Sequence, residues 1–407
     1  MESHIICDMK NYQWIHRALM PCLNRALEQF PAVLVSGARQ AGKTALCRRV
    51  WTHANYVTLD LPAEAEAAQR NSESFLTRYP APLIIDEIQY APELLRHIKT
   101  RLDRDRTPGQ YLITGSQDFA MMQGVTESLA GRCAVLRLPA VSMQEMNAVT
   151  IEAMDALAWR GGWPELQARP ELDRDLWFGS YLATYLERDV RNMLNVGSLR
   201  DFDRFLRAAA YRTGQLLSLS DLARDVGIAV STAKNWISLL EASHQVILLE
   251  PWHVNPGKRL IKSPKLYFRD VGLLLYLFGF RRWQDVIENA AWGAIWENIV
   301  VAECGKAIMN SGSRLPLYYW RTVNGEEVDL MVERGHRRVS AFEIKATEKP
   351  GKDSLKGLTA FSRLYGPETL EQQAVVCRTP SSYPLQNSNI QAIPLPAAVD
   401  LIHRSHP

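Results

Sequence analysis

Residues 37–44 read GARQAGKT, which fits the phosphate-loop pattern G-x-x-x-x-G-K-[ST] at every fixed position. Gly37 and Gly42 let the backbone bend so that successive N–H groups point at phosphate oxygens, and the helix expected next adds the positive end of its dipole. In such a loop Lys43 reaches the β- and γ-phosphates, and Thr44 places its hydroxyl on Mg²⁺. The residues predicted to contact nucleotide are Gly37, Ala38, Arg39, Gln40, Ala41, Gly42, Lys43 and Thr44.

Two carboxylates, Asp86 and Glu87, follow the apolar run of residues 83–85. This pattern predicts a buried strand whose carboxyl end carries the acids, and ligands of open α/β sheets bind at that edge. After a complete phosphate loop, the pattern indicates a Walker B strand. We expect Asp86 to hold the Mg²⁺ shell and Glu87 to orient and deprotonate the attacking water, which makes Glu87 a catalytic residue together with Lys43.

Three further residues are candidates for sensing or stabilising the γ-phosphate. Thr114 and Ser116 follow a third apolar strand, and either hydroxyl could serve as a sensor; a turn that requires small residues is the alternative. Arg132 precedes another apolar strand and is a candidate catalytic arginine finger, acting on its own nucleotide or on that of a neighbour. Action on a neighbour would require an oligomer, and an ordinary surface arginine is the alternative.

The spacing of polar and apolar residues predicts three domains in this chain of 407 residues, which is longer than one hydrophobic core usually supports. Alternating strands and helices over residues 31–140 predict a parallel sheet with helices on both faces. We therefore predict an ATPase domain at residues 1–150, a mainly helical domain at residues 151–285, and an α/β domain at residues 286–407.

Residues 218–240 have the pattern of a helix-turn-helix. Ser218 is placed to cap a first helix that Gly227 ends, and Ser231 to cap a second. Residues 246–249 suggest the wing strands of a winged helix. The side chains predicted to face outward, where base edges would be read, are Thr232, Lys234 and Asn235.

The charge of the middle region leaves its partner open. Residues 200–262 contain nine Lys and Arg against six Asp and Glu, a modest basic excess. Because phosphate contacts supply most non-specific affinity for nucleic acid, the region is either a DNA-binding module or a spacer that docks proteins. The densest basic cluster of the chain is predicted to touch phosphate or to solvate a linker, and it consists of Lys258, Arg259, Lys262 and Lys265.

A second group of acids lies in the last third of the chain. Glu343 and Lys345 are two apart in an apolar strand and therefore share one face. Asp329 precedes Glu343 by fourteen residues on the adjacent arm of a hairpin, and Glu297 approaches from a helix. The carboxylates of Glu297, Asp329 and Glu343 suit one or two Mg²⁺ ions, and with Lys345 they could activate water at a phosphodiester. A solvated hairpin is the alternative.

Composition narrows the class of protein. With 47% hydrophobic and 22% charged residues and a net charge of +3, the chain reads as an ordinary soluble protein, and the charge neither demands nor excludes nucleic acid. Six scattered cysteines favour a reducing compartment. The longest apolar run, residues 271–280, is about half of a membrane span. We expect a cytoplasmic protein with no signal peptide and no membrane partner.

Together these motifs resemble a prokaryotic family of AAA-type ATP-binding proteins. The resemblance rests on the order of GARQAGKT, LIIDE, ITGS, SLAGR, GGWP, YLERD, SPKLYFRDVGLL, WEN, NGEEVD and FEIK. It implies an α/β fold with an N-terminal P-loop NTPase sheet, a helical and winged-helix middle, and a C-terminal domain similar to PD-(D/E)xK restriction endonucleases. It also implies that Glu297, Asp329, Glu343 and Lys345 correspond to the nuclease motif, with Val328 in place of its proline.

These observations favour an enzyme that binds and hydrolyses ATP with Mg²⁺ and acts on DNA or RNA through its later domains. The alternative is a non-catalytic, ATP-gated switch or scaffold that works through protein contacts and carries an inactive nuclease-like domain. A transcription regulator is a third possibility, and the weak local charge counts against it.

Overall fold

Two β-sheets organise the chain, and the computed structural model describes residues 14–115, 129–185, 199–254, 263–313, 315–335, 338–385 and 388–403. The strands of the N-terminal sheet are β1 (Ala32–Ser36), β2 (Asn55–Thr58), β3 (Leu83–Asp86), β4 (Tyr111–Gly115) and β5 (Cys133–Arg137). All of them run parallel, in the spatial order β2-β3-β4-β1-β5. Their carboxyl ends therefore meet at one edge of the sheet.

Helices cover both faces of this sheet. They are α1 (Met20–Gln29), α2 (Lys43–Val50), α3 (Pro62–Arg70), α4 (Ser72–Arg78) and α5 (Leu94–Arg104). Leu34 of β1 packs in one apolar cluster with Leu95 of α5, whereas its neighbour Val33 packs in another with Leu46 of α2. Because successive strand residues point to opposite faces, an unbroken apolar strand must be covered on both sides. The predicted parallel sheet with helices on both faces is confirmed.

The middle of the chain is helical. Its helices are α6 (Ile151–Arg160), α7 (Pro164–Ala168), α8 (Arg174–Tyr185), α9 (Leu199–Ala210), α10 (Leu219–Val226) and α11 (Val230–Ala242). Ser218 caps α10, and Gly227 ends it at a φ of +81°. The prediction that Ser231 caps the next helix is wrong: α11 begins at Val230, with Ala229 at the N-cap and no side-chain cap.

The second sheet has eight strands. They are β6 (Val246–Pro251), β7 (Lys265–Phe268), β8 (Leu317–Arg321), β9 (Glu327–Gly335), β10 (Arg338–Lys345), β11 (Leu370–Cys377), β12 (Tyr383–Pro384) and β13 (Gln391–Ile393). The remaining helices are α12 (Val271–Phe278), α13 (Trp283–Ile287), α14 (Trp292–Asn310), α15 (Lys356–Tyr365) and α16 (Leu395–His403). The sheet order is β12-β13-β11-β10-β9-β8-β6-β7.

Strand β6 joins the helical region to this sheet. Its first four residues pair antiparallel with β7, and Glu250 and Pro251 then pair parallel with β8. The sheet therefore crosses the boundary predicted at residues 285 and 286. One apolar cluster also spans that position, since Leu157 of α6 and Tyr267 of β7 pack with Ile299 of α14.

Across the described segments, the helices are all too short or too polar to span a lipid bilayer.

Candidate functional site

The predicted phosphate loop connects β1 to α2 at the carboxyl edge of the first sheet. Gly37 has a φ of +151°, and a Cβ added there would lie 2.3 Å from the carbonyl oxygen of Leu138. Gly42 precedes the helix at a φ of +90°. Ala38 and Ala41 are buried in the loop, Arg39 is half-buried and Gln40 is exposed. The loop thus has the backbone turns that the glycine spacing predicted.

Lys43 begins α2 and is buried inside the loop. Its ammonium donates hydrogen bonds to the carbonyl oxygens of Gly37 and Ala38, both at 2.9 Å. Burial lowers the pKa of Lys43, while the nearby carboxylates of Glu87 and Asp86 oppose that shift. The ammonium is therefore held at the centre of the loop, where phosphate oxygens could replace the two carbonyl oxygens.

The carboxylate of Asp86 lies at the end of β3 and faces the loop. The Thr44 hydroxyl donates to its two oxygens at 2.9 and 3.0 Å, and the Tyr56 hydroxyl donates at 3.1 Å. The Thr114 hydroxyl also donates to it. Burial raises the pKa of Asp86 above its ordinary value. The structure thus brings together Thr44, Asp86 and Thr114, which the sequence placed in one site.

Glu87 follows Asp86 in a left-handed conformation, with a φ of +58°. Its backbone N–H donates to the Thr114 hydroxyl at 3.1 Å, and its carboxylate accepts a hydrogen bond from the side chain of Gln89. The Thr114 hydroxyl thus contacts the carboxylate of Asp86 and the backbone of Glu87, and its role as a sensor stays a prediction. Ser116, the other sensor candidate, lies outside the described residues.

Arg132 is not at this site. It directly precedes β5, and its carbonyl accepts from the N–H of Ala32 at the amino end of β1. In a parallel sheet, that is the edge opposite the phosphate loop. The guanidinium pairs with Asp103 at 2.5 Å and donates to the Ala130 carbonyl at 3.0 Å. The prediction that Arg132 acts on the nucleotide of its own chain is therefore wrong, because strand direction puts it at the wrong edge.

A second cluster of charged side chains lies where α14 meets the second sheet. The carboxylates of Glu297, Glu327 and Asp329 bring their oxygens within 4.8 Å of one another, as metal ligands do. Asp329 also accepts from the N–H of Ile344 at 2.7 Å. Glu297 and Asp329 were predicted to share a site, whereas Glu327 was not.

Glu343 and Lys345 complete this cluster from β10. The Lys345 ammonium lies 3.2 Å from one oxygen of Glu343 and 3.6 Å from an oxygen of Asp329. Burial, with the charge of Asp329, raises the pKa of Glu343 to about 8. Burial and Asp329 likewise raise the pKa of Glu297 to about 7. Such shifts arise where several carboxylates share a poorly solvated space and need a counter-charge.

Two residues of this cluster were missed or misread. Glu327 lies two positions before Asp329 on β9 and so shares its face, a signal present in the sequence. Lys265, predicted to touch phosphate or solvate a linker, is only 3% exposed and pairs with Glu297 and Glu327. Those carboxylates and Asp329 raise the pKa of Lys265 even though burial alone would lower it. Its basic neighbours, residues 258, 259 and 262, lie outside the described part of the chain.

The three residues predicted to read bases lie on the first turns of α11. Lys234 and Asn235 are exposed, and Thr232 is half-buried. Ala233 and Trp236, on the opposite side of the helix, are buried. The face that carries the candidate residues is therefore accessible, and the interpretation of these helices as a winged helix stays a prediction.

Three protein-family models match successive parts of the chain. One described as an AAA domain matches residues 29–147. Two described as domains of unknown function, DUF8612 and DUF4143, match residues 151–284 and 292–398. The first match covers the phosphate loop and Asp86. It identifies this region as an AAA-type P-loop domain and supports ATP binding.

Two mycobacterial proteins are similar over most of the chain. The uncharacterized protein Rv2008c of Mycobacterium tuberculosis is 35% identical over 333 residues, which cover 81% of this chain and 73% of that protein. The uncharacterized protein Mb2031c of Mycobacterium bovis matches to the same extent. This chain belongs to their family. The similarity identifies the family and assigns no activity, since neither protein is characterised.

A solved structure adds little to this assignment. The Walker-type ATPase PABY2304 of Pyrococcus abyssi is 17% identical, with a TM-score of 0.37, over 64% of this chain and 94% of that one. A TM-score this low does not establish a shared fold. The family assignment therefore rests on the sequence matches.

Arg17, which the sequence analysis did not single out, contacts the phosphate loop. It is 2% exposed and donates to the carbonyl of Ala41 at 2.7 Å and to that of Pro139 at 2.6 Å. Its Nε also pairs with Glu145 at 3.0 Å. The loop is thus tied to residues 139–145, which follow β5. No local pattern around Arg17 indicates this role, because its partners lie far along the chain.

Residues 139–145 also contact α14, the helix that carries Glu297. Glu303 accepts from the N–H of Met143 at 2.7 Å, and Lys306 donates to the carbonyl of Val141 at 3.1 Å. Glu303 and Lys306 also pair with each other at 2.7 Å, and both are buried. One short segment therefore connects the phosphate loop to the helix of the acidic cluster.

Proposed function

We propose that this chain is an Mg²⁺-dependent ATPase whose nucleotide state is transmitted to its middle and C-terminal regions, which act on nucleic acid. The observation that carries the first half is the contact between the Thr44 hydroxyl and the Asp86 carboxylate at 2.9 Å, with Glu87 directly beside it. Hydroxyl and carboxylate oxygens are the ligands that Mg²⁺ prefers. Their approach between a phosphate loop and a strand end fits the ion that accompanies ATP.

Each side chain of this site has a distinct role in the proposal. Lys43 binds the β- and γ-phosphates in place of the Gly37 and Ala38 carbonyls, and Thr44 and Asp86 would hold Mg²⁺, which neutralises charge on those phosphates. Glu87 orients the attacking water and accepts its proton. Thr114 positions the Asp86 carboxylate and the backbone of Glu87.

The acidic cluster is the proposed site of action on nucleic acid. One oxygen of Glu343, Oε2, is buried and has no hydrogen-bond partner among the described residues, as expected of a ligand that awaits a cation. Asp329 and Glu343 would hold a divalent ion, which supplies Lewis-acid chemistry at a phosphodiester. Lys345, on the open side of the cluster, would stabilise the charge that develops on the phosphate. Thr232, Lys234 and Asn235 would contact the nucleic acid elsewhere.

The ATPase half is tested with two substitutions. Lys43→Ala should lower phosphate release by about 100-fold or more, because it removes a fixed donor to the reacting phosphates. Glu87→Gln should lower kcat by about 10²–10⁴-fold and leave ATP affinity nearly unchanged, because only the proton acceptor is lost. The exposed residue Lys352 offers a control, and Lys352→Ala should turn over ATP like the parent protein. Unimpaired turnover by Lys43→Ala would refute this half.

The nuclease half is tested on single- and double-stranded DNA and on RNA, with ATP and Mg²⁺ or Mn²⁺. Asp329→Asn and Lys345→Ala should abolish cleavage and spare ATP turnover, because these residues are far from the phosphate loop in sequence and belong to the other sheet. Glu333→Gln, on the same strand as Asp329 and outside the cluster, is the matched control. A parent protein that cleaves none of these substrates would contradict the proposal.

The second candidate is an ATP-gated switch whose nuclease-like region does not cleave. The observation that favours it is Lys265, whose ammonium already pairs with Glu297 and Glu327. Steady-state phosphate release with and without DNA separates the two candidates. If DNA stimulates phosphate release, action on nucleic acid is supported. A slow rate of phosphate release that DNA does not change supports the switch.

A further inference from the structure

The acidic cluster contains a cation of its own. The Lys265 ammonium lies 2.8 Å from an oxygen of Glu297 and also contacts Glu327. These two carboxylates and Asp329 are the three whose oxygens converge as metal ligands do. The ammonium thus contacts two of the three groups that would otherwise surround a metal ion.

Strand pairing and hydrogen bonds fix Lys265 in this position. Lys265 is the first residue of β7 and pairs across the strand with Leu249. Asn298 of α14 binds both the N–H and the carbonyl of Phe268, at 2.7 and 2.9 Å, and so fixes β7 against the helix that carries Glu297. Tyr267, two residues on and on the same face, donates its hydroxyl to the same Glu297 oxygen.

The cluster contains more carboxyl groups than ammonium groups, which favours the binding of a further cation. Four carboxyl groups, those of Glu297, Glu327, Asp329 and Glu343, meet two ammonium groups, those of Lys265 and Lys345. The buried Oε2 of Glu343 has no hydrogen-bond partner among the described residues, and the ion pairs of Lys265 are with Glu297 and Glu327.

Among the described residues, Arg321 is a further cationic group near these acids. It reaches Glu327 at 3.2 Å from the rim, and its side chain is 44% exposed. Solvent screens such a charge, so it compensates the buried acids much less than Lys265 does.

We infer that the ammonium of Lys265 occupies a cation position formed by Glu297, Glu327 and Asp329, and that it excludes a divalent ion from that position. The inference and the proposed metal site at Asp329 and Glu343 share this cluster, and the inference rests on the proposed function in that respect alone. A nuclease-like region built in this way binds one divalent ion fewer than its carboxylates would allow.

The test is the number of Mn²⁺ ions bound per chain, measured by calorimetry and electron paramagnetic resonance on nucleotide-free protein. Lys265→Met keeps the length of the side chain and removes the charge, and it should bind one Mn²⁺ more than the parent. Arg321→Met is the matched control: it also removes a positive charge from Glu327 but vacates no buried position, so it should bind the parent number. Lys265→Met should also melt at a lower temperature without metal and recover when Mn²⁺ is added.

The outcomes separate this inference from the proposed function. If Lys265→Met binds the same number of ions as the parent with unchanged affinity, the inference is wrong even when the parent binds one. If the parent binds none and Lys265→Met binds one, the inference holds and the proposed site at Asp329 and Glu343 fails. Glu297→Gln provides a second test if Lys265→Met does not fold: it should keep the ion count of the parent, and loss of a parent ion would refute the assignment of Glu297 to Lys265.

Discussion

Asp86 accepts hydrogen bonds from three hydroxyl groups, those of Thr44, Tyr56 and Thr114. Three donors on one buried carboxylate fix its orientation, because each satisfied oxygen loses the freedom to rotate away. Tyr56 was not anticipated, although its place on the strand beside β3 provided a signal. At the scale of single residues, the site is therefore more completely organised than its two sequence motifs indicate.

Arg132 carries a prediction at the same scale. Since it pairs with Asp103 at the edge of the sheet opposite the phosphate loop, Arg132→Ala should leave ATP turnover unchanged. An arginine finger is worth about 10³–10⁵-fold in turnover, so phosphate release separates the two roles clearly.

The turnover measurement should be repeated over a range of protein concentrations. A loss of activity in Arg132→Ala that appears only at concentrations where chains associate would show that the arginine acts on a neighbouring nucleotide. That result would contradict the prediction.

Helix α14 is the element on which the two candidate sites depend. Glu297 of this helix belongs to the acidic cluster. Glu303 and Lys306, six and nine residues further along the same helix, contact residues 139–145. The pair is buried, and both members also hold backbone groups of that segment. Breaking one partner of a buried ion pair leaves an uncompensated charge, which is the costly event.

We therefore predict that Lys306→Met lowers the free energy of unfolding by about 3–5 kcal/mol, because Glu303 stays buried without its partner. The double variant Glu303→Leu with Lys306→Met should lose less than the single variant, because no unpaired charge remains. Chemical denaturation followed by tryptophan fluorescence measures both.

The exposed pair of Asp353 and Lys356 has the same spacing on the chain and offers the control. Lys356→Met should change the denaturation midpoint far less than Lys306→Met, because water solvates the remaining carboxylate. Equal effects at the two sites would contradict the argument from burial.

At the scale of the whole molecule, buried contacts connect the phosphate loop to the helix that reaches the acidic cluster. Arg17 holds the Ala41 carbonyl of the phosphate loop and also binds Pro139 and Glu145. The same segment is held by α14, whose amino-terminal half reaches the acidic cluster. A nucleotide that rearranges the loop would therefore act on contacts that lead through Arg17 and residues 139–145 to α14.

We expect ATP analogue and Mg²⁺ to slow amide hydrogen exchange in α14, because nucleotide should stabilise the loop that Arg17 connects to this helix. Arg17→Met should still bind the analogue but should lose the protection of α14. Arg25→Met, an exposed arginine on α1, is the control and should behave like the parent. Protection of α14 that persists in Arg17→Met would show that the signal takes another route.

Much of the fold and of the nucleotide site could be predicted from the sequence because the determining residues are neighbours in the chain. Eight consecutive residues form the phosphate loop, and Asp86 and Glu87 end an apolar strand. The parallel sheet follows from the alternation of strands and helices. The strand that carries Glu343 and Lys345 is confirmed, since alternation of side chains is a property of the local backbone.

Only the tertiary structure decided the contacts between residues that are far apart in the chain. Lys265 looked like part of a solvated basic cluster, and the fold buried it among carboxylates from α14 and β9. Arg132 looked catalytic, and the direction of its strand placed it at the opposite edge. Arg17 had no pattern at all. Sequence patterns encode local backbone geometry, whereas the partner of a buried charge depends on which elements pack together, and that is settled only when the whole chain has folded.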